Sequence, residues 1–282
     1  MSKLLRANFA RLIKSKSLWL CVAAMLLFNI VYSLSEYRNS TLYQYEYNTS
    51  SDTVFFLPYI VVGILVAIFC SLYIGKEYSD GTIRNKMVVG HSRNSIYFVN
   101  FATCAAAGLL MNLAYLIAAC ALGIPLLGPL ETDIQTAILW LLAGLLLTIA
   151  CAAIFSLLSM LNQNKALVAV ISIVIAFTAI FLFAYLNGRM NEPEFMQGLS
   201  MTVNDAGQQV VQAGERVPNP HYLNDSQRKM YQFIMDFLPT TQAGQLASRN
   251  VPHAGLMLLY SGIIIVVTNA AGMFIFRRKD LK

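Results

Sequence analysis

Between two long apolar runs the chain carries a stretch of mixed charge: Lys76, Glu77, Tyr78, Ser79, Asp80, Gly81, Thr82, Arg84 and Lys86, followed by Gly90, His91, Ser92 and Arg93. Acids and bases packed this densely form a recognition surface more readily than a reaction centre. Gly75 and Lys76 lack the upstream glycine of a phosphate-binding loop, and Glu77 stands where that loop needs Ser or Thr. His91 and Ser92 adjoin without a third group to orient them for nucleophilic chemistry. Cys21, Cys70, Cys104, Cys120 and Cys151 all fall inside apolar runs, with no metal-ligand spacing and no disulfide framework. The expectation is a chain with no catalytic, cofactor-binding or metal site of its own, and no ATPase motif.

The elements that hold this stretch in place are built for lipid. Hydrophobic residues make up 57% of the chain and charged residues 12%, about half the charge usual in a soluble domain. Six runs approach the roughly 20 apolar residues that a membrane-crossing helix needs: 18–34, 54–75, 97–122, 134–158, 166–186 and 255–276. None has Asp, Glu, Lys or Arg in its interior. Backbone groups in hydrocarbon must be satisfied within the segment, and no short alternating pattern suggests a barrel. The fold class expected is an all-α integral membrane protein, a single transmembrane domain over 1–282 with six transmembrane helices.

Residues 1–16 read as an amphipathic interfacial helix, with Leu5, Phe9, Leu12 and Ile13 on one face and Lys3, Arg6, Arg11 and Lys14 on the rest. This pattern favours a retained first span over a cleaved signal peptide. The bases then set the topology. With both termini cytoplasmic, 14 of the 20 Lys and Arg residues lie inside, against 3 of the 14 acids. The pI near 9.1 therefore reflects topology and attraction to anionic lipid, and no nucleic-acid surface is expected. The charged stretch becomes a cytoplasmic loop over 76–96.

Outside, Tyr43, Tyr45 and Tyr47 recur at period two, as an interfacial tyrosine belt or a ligand strip would. Residues 123–133 read as a plain turn. The segment 187–254 is expected to be irregular in its first half and helical in its second. There Asn224 or Asp225 caps a helix in which Met230, Phe233, Ile234, Phe237 and Leu238 repeat, and Pro239 stops it. That helix should lie on the outer surface beside the last span, as a cargo contact or as a lid supporting a dimer.

Polar residues within the spans are few and neutral. Asn29, Asn112 and Asn269 either hydrogen-bond between helices or line a cargo path. No ionisable group sits at mid-span, where an ion-coupled carrier would need one. Uphill transport would thus draw its energy from another subunit.

The motif Glu77-Tyr78 followed by Gly81-Thr82, with the basic continuation Arg84 and Lys86, resembles the loop after the second span in type-2 ABC transporter permeases, the membrane subunits of bacterial ABC exporters. The resemblance extends to the amphipathic N-terminal helix, the six spans, the long outer segment with Asn219-Pro220 and Phe237-Leu238-Pro239, and the basic tail that begins at Phe276. It implies that Glu77, Tyr78, Ser79, Asp80, Gly81, Thr82, Arg84 and Lys86 form a coupling helix that docks on a separate ABC ATPase. It also implies two such ATPases carrying ATP and Mg, and a second permease copy in a homodimer or heterodimer within the bacterial cytoplasmic membrane. The function implied is a permease subunit that exports a hydrophobic or amphipathic cargo, such as an antimicrobial peptide, a drug or a lipid-like molecule. The alternative is a non-transporting scaffold or sensor that engages the same ATPase. Of these docking residues, Ser79 or Asp80 is expected to cap the short helix, and Gly81 to supply the turn.

Overall fold

A computed structural model describes residues 1–42, 50–203 and 209–279. The chain runs through α1 (Ser2–Ile13), α2 (Lys16–Leu42), α3 (Ser51–Phe56), α4 (Pro58–Ser79), α5 (Thr82–Val88) and α6 (Arg93–Ala118). A π-helical turn at Ala119–Gly123 then leads into α7 (Ile124–Leu127), followed by α8 (Ile134–Leu161) and α9 (Lys165–Met190). Strands β1 (Phe195–Val203) and β2 (Gln209–Pro218) precede α10 (Asp225–Phe237), α11 (Pro239–Ala247) and α12 (Ala254–Arg278). The protein is an all-α integral membrane protein with six helical segments long and apolar enough to cross a bilayer. Through Arg11 with Glu77 and Lys279 with Tyr78, α1 and the end of α12 meet the end of α4 on one face of the protein, the terminal face.

The second and fourth spans form the centre. Of the most apolar stretch in each span, 61% is buried for α3–α4 and 56% for α8, against 17% for α9 and 22% for α12. Small residues allow this close packing, as is usual where helices meet without a hydrophobic drive between them. A Cβ on Gly108 would stand 2.7 Å from the Thr148 side chain and 3.1 Å from that of Val66, so α6 seats directly on α8 and α4. Tyr59 lies against Gly144, and Tyr97 against Gly272.

Two of the intramembrane asparagines join neighbouring elements. Asn29 on α2 donates to the Val54 carbonyl on α3 (3.3 Å) and accepts from Ser33 (3.1 Å). Asn112 on α6 donates to Thr148 on α8 (2.8 Å). Among the described residues Asn269 donates within its own helix alone, to Ile265 (2.8 Å), and its buried Oδ1 has no partner.

Several local expectations need correction. The buried stripe of α1 is Leu4, Asn8 and Leu12, and Ile13 is exposed, because the helix packs on α6 through a polar residue. Residues 123–133 do not form a plain turn: the third span continues through the π-helical turn into α7 before Gly128 (φ 88°) reverses the chain. Asp133 then caps α8 by accepting from Gln135 and Thr136. The first half of the long segment is an antiparallel hairpin, with Phe195 opposite Pro218 and Val203 opposite Gln209. Val210, Val211 and Val217 give its second strand a β-branched character that the Gly and Gln content of the segment conceals. Tyr43, Tyr45 and Tyr47 lie outside the described residues.

Asn224 caps α10 in a reciprocal box with Gln227 (2.8 and 3.0 Å). Phe233 and Phe237 meet Tyr260 of α12 edge-on at 5.8 and 5.6 Å, which fixes α10 beside the last span. Pro239 ends that helix and also begins α11, an element absent from the sequence reading. Thr241, Gln242, Gln245 and Leu246 of α11 are all buried, with α11 wedged among α4, α8 and α9.

Candidate coupling surface

The charged stretch is less a loop than a helical reversal. Lys76, Glu77, Tyr78 and Ser79 form the last turn of α4. Gly81 (φ 66°, ψ 10°) takes the left-handed conformation that residues with a side chain resist, and α5 starts at once. Gly81 itself occupies the N-cap of α5, so neither Ser79 nor Asp80 caps it as expected: Ser79 turns back to the Gly75 carbonyl (3.0 Å), and Asp80 sits at the end of α4. Gly90 (φ 94°) ends the reversal, and Ser92 caps α6 by accepting from the Ser95 amide (3.2 Å).

Glu77 points inward. Its carboxylate is fully buried and sits at the centre of a network drawn from four helices. Arg11 of α1 reaches Oε1 at 2.6 Å, Lys86 of α5 contacts the same oxygen, and Asn100 of α6 donates to Oε2 at 2.7 Å. Asn8 completes the circuit, donating to Asn100 (2.9 Å) and accepting from Lys86 (3.0 Å). Tyr73, one turn before Glu77, accepts from Arg11 Nε (3.0 Å), donates to the Asn8 carbonyl (3.1 Å) and lies under the guanidinium at 4.0 Å. A carboxylate offers acceptor sites for all these donors, and a buried charge persists only when paired in this way. Burial pushes the Lys86 amine below its ordinary range, and the charge of Glu77 opposes that shift.

Tyr78 makes a second tie. Its hydroxyl donates to the Met160 carbonyl at the end of α8 and accepts from Lys279 (3.3 Å), which also reaches the Met160 carbonyl (3.1 Å). Burial lowers the Lys279 amine as well. Arg93 donates to the carbonyls of Phe276 (3.4 Å), Arg277 (3.0 Å) and Lys279, closing the C-terminal end of α12 with a cation where the helix dipole favours one. The reversal is thereby tied to α1, α6, α8 and the end of α12.

The residues singled out from sequence therefore divide into two sets. Glu77, Tyr78 and Lys86 turn toward the interior, with the Glu77 carboxylate buried and Tyr78 and Lys86 half-buried. Ser79, Asp80 and Arg84 are exposed, and Thr82 is half-buried at the head of α5. Sequence reasoning missed Val88 and Val89, which are 84% and 77% exposed. Their signal was legible: two adjacent β-branched apolar residues within a polar segment, directly before a glycine. Asn29, Asn112 and Asn269 lie elsewhere, and among the described residues no hydrogen bond joins one of them to another. Among the described residues no group of His, Cys, Asp and Glu could hold a metal ion.

A search of curated proteins finds no match. A family model described as ABC-2 family transporter protein matches residues 4–201, from α1 into β1, and so includes the whole helical reversal and its network. The chain belongs to the ABC-2 family of transporter membrane proteins, as a permease subunit that works with an ABC ATPase.

Proposed function

We propose that this chain forms the membrane path of an exporter in the bacterial cytoplasmic membrane, with both termini cytoplasmic and α5 seated on the partner ATPase. The charge asymmetry between the faces supports that orientation. Two permease copies and two ATPases make the working unit, with ATP and Mg held by the ATPases. The observation that carries the reading is the Glu77 network. It makes α5 a rigid extension of the second span, while Ser79, Asp80, Thr82, Arg84, Val88 and Val89 stay available to a partner. A push on that surface reaches α1 through Arg11, α6 through Asn100 and α8 through Tyr78. Mid-span surfaces without ionisable groups suit a hydrophobic or amphipathic cargo: an antimicrobial peptide, a drug or a lipid-like molecule entering from the inner leaflet.

The test is transport into sealed inverted vesicles that contain this permease and its purified ATPase, with a fluorescent amphipathic cargo. ATP-dependent accumulation that fails without the ATPase supports the proposal. Cargo-stimulated ATP hydrolysis without accumulation would replace it with a scaffold or sensor role.

A further inference from the structure

A cleft of about 470 Å3 opens on the terminal face where α1 bends into α2. Its walls carry Arg11, Lys14, Lys16 and Lys76 against a single carboxylate, Asp80, with Leu72 on the apolar side. Lys14, Lys16 and Lys76 are exposed, and among the described residues no ion pair includes any of them. Arg11 commits Nη1 to Glu77 and Nε to Tyr73, and among the described residues its Nη2 has no acceptor. The cleft thus gathers four cations against one carboxylate, an excess of positive charge that suits a phosphate.

Its position selects the source of that phosphate. Lys14 and Lys16 immediately precede the first apolar run, and Lys76 immediately follows the second, so the cations stand where hydrocarbon ends. Leu72 (43% exposed) and Trp19 (56% exposed) lie at the same boundary, and the Trp19 indole donates to the Ile13 carbonyl at the bend (2.7 Å). Amphipathic aromatic rings favour this depth. We infer that this cleft is a binding site for the headgroup phosphate of an anionic phospholipid, held by Arg11, Lys14, Lys16 and Lys76. An occupied site would bind the bend between α1 and α2 to the end of α4, beside the Glu77 network. The inference stands independently of cargo and of membrane orientation.

The experiment uses the purified full chain in mild detergent, equilibrated with equimolar phosphatidylglycerol and phosphatidylcholine of identical chains, with retained lipid counted by mass spectrometry. Wild type should retain phosphatidylglycerol preferentially. A Lys14→Gln, Lys16→Gln double variant should lose about fivefold of that preference per lysine. A Lys3→Gln, Arg6→Gln double variant removes the same charge from exposed positions outside the cleft and should keep it, as should Lys16→Arg. Equal losses in the two double variants would reduce the effect to general electrostatics and overturn the site, as would no preference in wild type. Displacement of the lipid by an equal concentration of glycerol phosphate would show a soluble-phosphate site and overturn the lipid assignment. Arg11 is left intact because its removal would also disturb Glu77, and wild-type circular dichroism confirms that each variant folds.

Discussion

Arg11 and Glu77 form an ion pair at 2.6 Å that fastens the N-terminal helix to the last turn of the second span. The carboxylate is shared: Lys86 from the following helix takes the same oxygen, and Asn100 takes the other. A buried ion pair is poor evidence of net stability, because desolvation offsets much of the attraction. What it gives here is geometry. Three donors from α1, α5 and α6 converge on one side chain of α4, and a neutral residue could not hold them in the same register.

Replacing Glu77 with Leu leaves Arg11 and Lys86 as neighbouring cations with no anion between them. Breaking such a pair costs about 3–5 kcal/mol when both partners are buried. The Arg11 side chain is 34% exposed and partly screened, so about 2–4 kcal/mol is expected. Glu77→Gln should cost less, because Oε1 can still accept. Lys86→Met should be milder again, since Arg11 and Asn100 remain on the carboxylate. Thermal unfolding in detergent should rank the variants in that order. An equal midpoint for Glu77→Leu and wild type would show that the network contributes nothing to α5 placement.

Gly81→Ala tests the reversal separately from the network. A Cβ at this position meets nothing within 4 Å, so any cost is conformational. Holding a residue with a side chain in the left-handed region costs about 1–2 kcal/mol. Asn tolerates that region better than Ala, and Gly81→Asn should recover part of the loss. The measurement is cargo-stimulated ATP hydrolysis beside thermal stability. Gly81→Ala is expected to lower stimulation several-fold, with Asn intermediate. Identical stimulation in Gly, Ala and Asn forms would mean that the turn geometry is not used.

The outward face should behave in the opposite sense. Arg84 and Val88 are exposed, so Arg84→Glu and Val88→Asp should shift stability by no more than about 0.5 kcal/mol. The same changes should reduce co-purification of the partner ATPase at least tenfold, about 1.4 kcal/mol per variant. Loss of fold together with binding would make these residues structural. Retained binding in both would place the docking surface elsewhere.

The membrane plan was legible because spans need long apolar runs free of charge, and all six runs lie within the apolar helices observed. The charged stretch was also legible as a unit, since its composition breaks so sharply with its surroundings. Which of its side chains face inward was not. Glu77 is an acid among bases, and a one-dimensional reading places it on the surface, where acids usually stand. Its burial depends on Arg11 and Asn100, distant in sequence, and on the polar Asn8 within an otherwise apolar stripe. The helix α11 escaped for a related reason. Thr241, Gln242 and Gln245 carry no apolar repeat that would mark a buried helix, yet each is buried with hydrogen bonds made inside the fold.

Asp236 and His253 test whether that polar wedge is held by charge or by hydrogen bonds. Asp236 is buried: its Oδ1 accepts from Gln232 (2.7 Å) and Gln245 (3.2 Å), and its Oδ2 meets His253 Nδ1 at 3.0 Å. The His253 side chain is 50% exposed, so its contact with Asp236 is open to water and His253→Ala should change stability by about 0.5 kcal/mol or less. Asp236→Leu is different, because it strands the Gln245 amide in a buried site and releases Gln232. An unpaired buried donor costs about 1–3 kcal/mol. Asp236→Asn should fall between, since its carbonyl can still serve both glutamines. Hydrogen exchange in α10 and α11 reports this locally: Asp236→Leu is expected to speed it at least tenfold while exchange in α4 and α8 holds. Faster exchange in His253→Ala than in Asp236→Leu would reverse the assignment and make the charge pair the clasp.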